Sequence, residues 1–143
     1  MTRATFRSVR AAAEPAPAAR VWLDLARTEL DAYFAGELRQ FTVPVDLQRV
    51  SAPHRRILDA VAEVGYGETT TYGTLATKLG LTNDGPRQVG GAIACNPVLI
   101  VVPCHRVLGA SGKLTGYAGG LTAKQSLRDL ENHDPAAQLT LAM

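Results

Sequence analysis

A mainly α fold, with one helix-turn-helix and one short strand, follows from three features of the chain. Apolar residues recur at helical spacing in several separate stretches, glycine and proline punctuate the ends of those stretches, and one short run, Val98–Val102, is apolar throughout and rich enough in β-branched residues to read as a buried strand. At 143 residues, with 46% hydrophobic and 20% charged residues, the chain is long enough for one ordinary domain.

The elements follow in order. Residues 1–20 are an Ala/Pro-rich leader whose prolines disfavour a continuous helix, and they are expected to be flexible. Residues 21–48 hold a helix and a connector: Val21, Leu25, Leu30, Tyr33 and Phe34 recur at helical spacing before Gly36, and Phe41, Val43 and Val45 alternate around Pro44. The main domain is expected over residues 49–133. Pro53 starts a helix with the stripe Ile57, Leu58, Val61 and Val64, closed by Gly65 and Gly67. Thr70 or Thr71 caps a second helix from Tyr72 to Leu79, and Gly80 stops it. Pro86 opens a third helix after a short polar linker, making a helix-turn-helix, and Asn96-Pro97 ends it. Val98–Val102 then delivers Pro103-Cys104-His105-Arg106 into a turn, a glycine-rich loop follows, and Thr122–Glu131 forms the last helix. Residues 134–143 are expected to fray.

Net charge of +2 permits a polyanionic partner without requiring one. Two cysteines, Cys95 and Cys104, are too few for a disulfide framework and read as reduced thiols, and no apolar run approaches the length of a membrane span. An intracellular, cytoplasmic protein is expected. Cys95, Cys104, His54, His105 and His133 lack the paired spacing of zinc ligands, so no metal and no cofactor are expected.

Cys104 is the candidate nucleophile. It adjoins His105 and Arg106 ahead of a flexible segment, which suggests a partly exposed thiol near positive charge. An unassisted thiol is mostly protonated at neutral pH, so a base is needed, and His105 is the nearest. Adjacent residues of a strand point to opposite faces, so a turn or a bridging water would have to join the two. Glu131 is a candidate to orient the imidazole. Gly90-Gly91 inside a helix costs about 1 kcal/mol per glycine relative to alanine, which implies close approach of some surface, either DNA or another helix.

Through RQVGGAIACNPVLIVVPCHRVLGASGKLTGYAGGL and the preceding GETTTYGTLA, the chain resembles the O6-alkylguanine-DNA alkyltransferase family. The resemblance runs from about Trp22 to Glu131. It implies a compact helical C-terminal-type alkyltransferase domain that binds the minor groove of double-stranded DNA, flips an O6-alkylated guanine and takes the alkyl group once and irreversibly. By resemblance Cys104 is the acceptor, His105 the base acting through water and Glu131 its orienting carboxylate. Asn96 would stabilise the hinge after the recognition helix, and Tyr117 would bind the extruded guanine and assist its departure. Val107 and Ala118 would line the substrate pocket or contribute backbone contacts to it, and Tyr72, also at the substrate, would rotate the target phosphate. Arg87 would fill the gap in the base stack, with Thr71, Gly91 and Ala92 at the DNA surface. The protein is expected to act as a monomer. The chain departs from the family in two places. Only the leader and one helix precede the domain, so the family's N-terminal domain is expected to be largely absent, and Pro53, His54, Ile57 and Leu58 stand where the family carries a Phe-Gln and Val-Trp segment. Two other functions fit the same residues: a module that binds alkylated bases without transfer, against which the intact Cys104 argues, and a Cys/His/Glu hydrolase with turnover, against which the helix-turn-helix argues.

Overall fold

The computed structural model describes residues 17–132, and the chain divides into two units, Met1–Pro44 and Val45–Met143. The expected leader lies outside the described residues except for 17–20, and the fraying end at 134–143 lies outside them altogether. Among the described residues no helix is long and apolar enough to cross a membrane.

In the first unit, helix α1 runs Pro17–Phe34, four residues ahead of the expected start at Val21. Proline is tolerated in the first helical turn, where its missing N–H costs nothing. Buried Glu29 turns the chain back on α1: its carboxylate accepts from the backbone N–H groups of Thr42 (2.9 Å) and Val43 (2.8 Å) and from the Thr42 hydroxyl (2.8 Å). Tyr33 packs at a tilt on Phe41, with ring centres 5.5 Å apart, and meets Phe34 edge-on at 5.4 Å. The run Phe41–Val45 is irregular rather than a strand, since Glu29 takes the amides that a ladder would use.

The second unit packs three helices around one core. In α2 (Ala52–Ala62) Ile57, Leu58 and Val61 are spaced along one face, and Leu58 and Val61 are wholly buried. Val64, expected in the same stripe, lies past the end of the helix. The strand β1 (Thr70–Thr71) leads into α3 (Tyr72–Lys78), whose N-terminus Thr71 caps by accepting from the Thr74 N–H at 3.0 Å. The turn to α4 (Gly85–Ala94) passes through Asn83 and Asp84, both left-handed. Gln88 closes it by donating to the carbonyls of Thr82 (2.9 Å) and Asn83 (3.0 Å). Only glycine fits at the start of α4, because a Cβ on Gly85 would sit 2.7 Å from Ala76 Cβ. Leu75, Ala76, Val89, Ala92 and Ile93 complete the core with Val102, Cys104 and Val107.

The strand expected at Val98–Val102 is a turn. Asn96 supplies the partners that a neighbouring strand would have given: its amide donates to the Val102 carbonyl at 3.0 Å and its Oδ1 accepts from the Val98 N–H at 3.0 Å. Within and just after this span the chain makes two three-residue turns. One centres on Ile100 at φ +77°, with the Val101 N–H on the Leu99 carbonyl at 2.9 Å, and the other on Pro103, with the Cys104 N–H on the Val102 carbonyl at 2.8 Å. A β-branched residue in the left-handed region is strained, so the fixed ends of the turn must hold it there. A short helical turn, Cys104–Arg106, follows, and then β2 (Val107–Leu108) pairs in parallel with β1 in the register Thr70 to Val107 and Thr71 to Leu108. This pairing fixes the start of the helix-turn-helix against the segment after Cys104. The last helix, α5 (Leu121–Asn132), returns Lys124, Leu127 and Glu131 to the interior.

Candidate active site and nucleic-acid interface

Cys104 is buried, at 1% exposure, contrary to the partly exposed thiol expected from its neighbours. The turns before it fold it inward instead of presenting it at a strand end. Asn96 Nδ2 donates to Cys104 Sγ at 3.3 Å as well as to the Val102 carbonyl, so one amide orients both the thiol and the turn that carries it. Burial pushes the Cys104 thiol up, while the Asn96 hydrogen bond and the Lys124 charge pull it down.

His105 is wholly buried, and its Nε2 meets Glu131 Oε2 at 2.6 Å. Arg106, the other cation expected near the thiol, is bound to the same carboxylate, with Nε on Oε1 at 2.9 Å and Nη2 on Oε2 at 3.0 Å. Its Nη1 donates to the Val64 carbonyl at 2.6 Å, and its guanidinium lies 5.8 Å from the Tyr66 ring centre. A carboxylate gripped by a bidentate guanidinium stays ionised and accepts only, so neutral His105 carries its hydrogen on Nε2 and its lone pair on Nδ1. That Nδ1 is buried and, among the described residues, has no hydrogen-bond partner. In the neutral ring its lone pair is left free to accept a proton.

An open cleft of about 600 Å³ lies beside this cluster, lined from α3 and α4 by Thr71, Tyr72, Arg87, Gly90 and Ala94 and from the opposite loop by Tyr117 and Ala118. Tyr72 Oη donates to the Thr115 carbonyl at 3.3 Å and ties that loop to α3. Burial first, and then the negative charges of Cys104 and Glu131, push the Tyr117 phenol up, so it keeps its proton. A Cβ on Gly119 would lie 2.7 Å from the Tyr117 ring, which explains glycine there.

Three residues expected at the substrate or the DNA surface do not line this cleft. Ala92 is 0% exposed in the core and cannot reach DNA, and Val107 is equally buried and does not line the cleft, though its carbonyl accepts from Lys124. Gly91 faces His54 within the domain. The face of α4 that lines the cleft carries Arg87, Gly90 and Ala94, at helical spacing, so of the residues expected on this helix Arg87 lies on it and Gly91 and Ala92 do not. Gly90, Arg106 and Lys124 were missed as site residues; Gly90 carried a signal, its cost inside a helix, whereas nothing local separates Lys124 from a solvated lysine. Among the described residues no three His, Cys, Asp or Glu side chains gather as metal ligands would.

A helix-turn-helix with an open cleft, set beside a buried cysteine, histidine and carboxylate, defines a DNA-binding protein with a nucleophilic centre. Residues 52–133 match the family model for the DNA-binding domain of 6-O-methylguanine DNA methyltransferase, and the chain belongs to that family. Over 113 residues it is 52% identical to the methylated-DNA--protein-cysteine methyltransferase of Mycolicibacterium paratuberculosis, covering 79% of this chain and 67% of that protein. The fold is similar to Mycobacterium tuberculosis OGT solved in complex with DNA, with TM-score 0.72 and 47% identity over 76% of this chain and 66% of that one. It is also similar to the O6-methylguanine-DNA methyltransferase of Pyrococcus kodakaraensis, with TM-score 0.67 and 30% identity over 89% of this chain and 71% of that one. The chain thus spans about two thirds of the length of the relatives it matches.

Proposed function

We propose that this chain repairs DNA by direct reversal, taking a methyl or larger alkyl group from O6 of guanine onto Cys104 in one irreversible event. Residues 49–133 act as the DNA-binding alkyltransferase domain, working as an intracellular monomer on the minor groove of double-stranded DNA. Arg87 fills the stack left by the flipped base, Gly90 and Thr71 lie against the backbone, and Tyr72 turns the target phosphate. Tyr117 and Ala118 receive the guanine.

In the chemical step a carbon–sulfur bond forms to Sγ as the carbon–O6 bond breaks, and its electron pair leaves with the guanine. The thiol proton passes through a water to His105 Nδ1, Glu131 stabilises the imidazolium so formed, and the protonated Tyr117 phenol donates to the departing base. Asn96 orients the sulfur. The observation that carries this reading is the unpartnered, buried Nδ1 of His105, a base held ready beside a buried thiol.

Cys104→Ser should abolish transfer from methylated duplex DNA while leaving DNA affinity nearly intact, since the buried sulfur adds little to groove binding. Transfer rates and gel-shift affinities of the two proteins check this. Transfer retained by the serine variant would contradict the assignment.

A further inference from the structure

Lys124 is the least expected residue of the interior. It is 0% exposed, and its ammonium donates to three backbone carbonyls, Val107 (2.7 Å), Thr115 (2.7 Å) and Gly116 (3.4 Å). Among the described residues no carboxylate pairs with it. A buried ammonium held only by neutral dipoles is costly, and a packed apolar residue would serve the fold more cheaply. The charges nearby make the imbalance plain. Glu131 is matched by Arg106 and also bonds His105, and Arg128 adds a further cation on the same helix, its Nη1 buried with no hydrogen-bond partner among the described residues. The anion that can balance Lys124 is the thiolate of Cys104.

We infer that Lys124 is a positioning residue that serves as the buried counter-charge of the Cys104 thiolate, while stapling the Tyr117 loop to the segment that follows Cys104. Val107 lies three residues beyond Cys104, and Gly116 immediately precedes Tyr117, so one ammonium joins the two walls of the reacting site. The groups bearing on the thiol are then Lys124 and Asn96, which favour its anion, with His105 as proton acceptor. Tyr117 and the Glu131–Arg106 pair stand behind them. Electrostatic coupling runs both ways: burial pushes the Lys124 amine down, the Cys104 charge opposes that, and Arg128 adds to it.

The inference deepens the proposed role of Cys104, but its test needs neither DNA nor alkylguanine, so either can fail without the other. In a Cys95→Ser background, iodoacetamide alkylates Cys104: the sulfur–carbon bond forms, carbon–iodine breaks, iodide leaves, and the thiol proton goes to solvent. The rate, followed by mass spectrometry against pH, gives the thiol midpoint. Lys124→Met should raise that midpoint by on the order of one pH unit or more, and Lys124→Arg should bring it back towards the unsubstituted value. A folded Lys124→Met protein with an unchanged midpoint overturns the inference, since a merely structural lysine would leave the thiol's titration alone. The reciprocal measurement needs no substitution at Lys124 and holds if that variant fails to fold. The Nζ of Lys124, titrated by NMR before and after Cys104 is alkylated, should lose its proton at lower pH afterwards, and an identical titration overturns the inference equally.

Discussion

The buried carboxylate of Glu131 accepts from an imidazole and a guanidinium, and the Arg106 half of that arrangement is structural as much as chemical. Removing one partner of a buried ion pair strands the other, so Arg106→Met should cost about 3–5 kcal/mol, read from denaturant midpoints. Adding Glu131→Gln to it should cost less than the sum of the two single changes, because the stranded charge is gone. A loss below about 1 kcal/mol for the single variant would mean that the pair is looser than its 2.9 and 3.0 Å contacts imply. At this scale the sequence was half legible. Cys104, His105 and Asn96 lie within a single motif, but the carboxylate that clasps Arg106 comes from a helix 25 residues on, and Lys124 gains its meaning only through three carbonyls brought together by folding.

The recognition helix carries its own test. A Cβ at Gly90 meets nothing within 4 Å, so the glycine serves no packing inside the domain. Gly90→Ala should therefore stabilise the fold by about 0.5–1 kcal/mol, the ordinary helical gain, while weakening DNA binding if the backbone presses on DNA there. Thermal midpoints and DNA affinities separate the two effects, and a tighter-binding alanine variant would remove Gly90 from the interface. Arg87→Ala should slow repair of duplex DNA far more than reaction with a soluble benzylated guanine, which needs no extrusion. Equal slowing on both at saturating protein would instead make Arg87 a pocket or fold residue. The helices were legible because each start signal agrees with the periodicity that follows it, a proline in the first turn of α2 and α4 and the Thr71 cap of α3. Val98–Val102 misled because β-branched composition describes a residue's preference, and Asn96, outside the run, decided its hydrogen bonding.

Across the whole chain, the two units have different chemistry. In the first, burial would raise the Glu29 carboxyl, but hydrogen bonds from Thr42 and Val43 hold it below its ordinary value of 4.5. Its contribution to stability is thus present above that value and lost as pH falls through the lower, folded one. Glu29→Gln should remove this acid sensitivity, followed through the fluorescence of Trp22, the chain's single tryptophan. An acid transition unchanged by the substitution would assign it to other carboxylates. The second unit holds the family domain and the cysteine, histidine and carboxylate cluster, whose proposed chemistry is transfer without turnover. The thioether formed on Cys104 offers water no leaving group, which separates an acceptor from a hydrolase sharing the same cysteine, histidine and glutamate. Incubating the protein with excess duplex containing O6-methylguanine, and counting repaired bases against intact and peptide masses, reads this most directly. One guanine should be repaired per protein molecule, with the added methyl on the peptide holding Cys104 and none on Cys95; repair continuing beyond one equivalent, or a methyl found elsewhere, would rule out single transfer to Cys104.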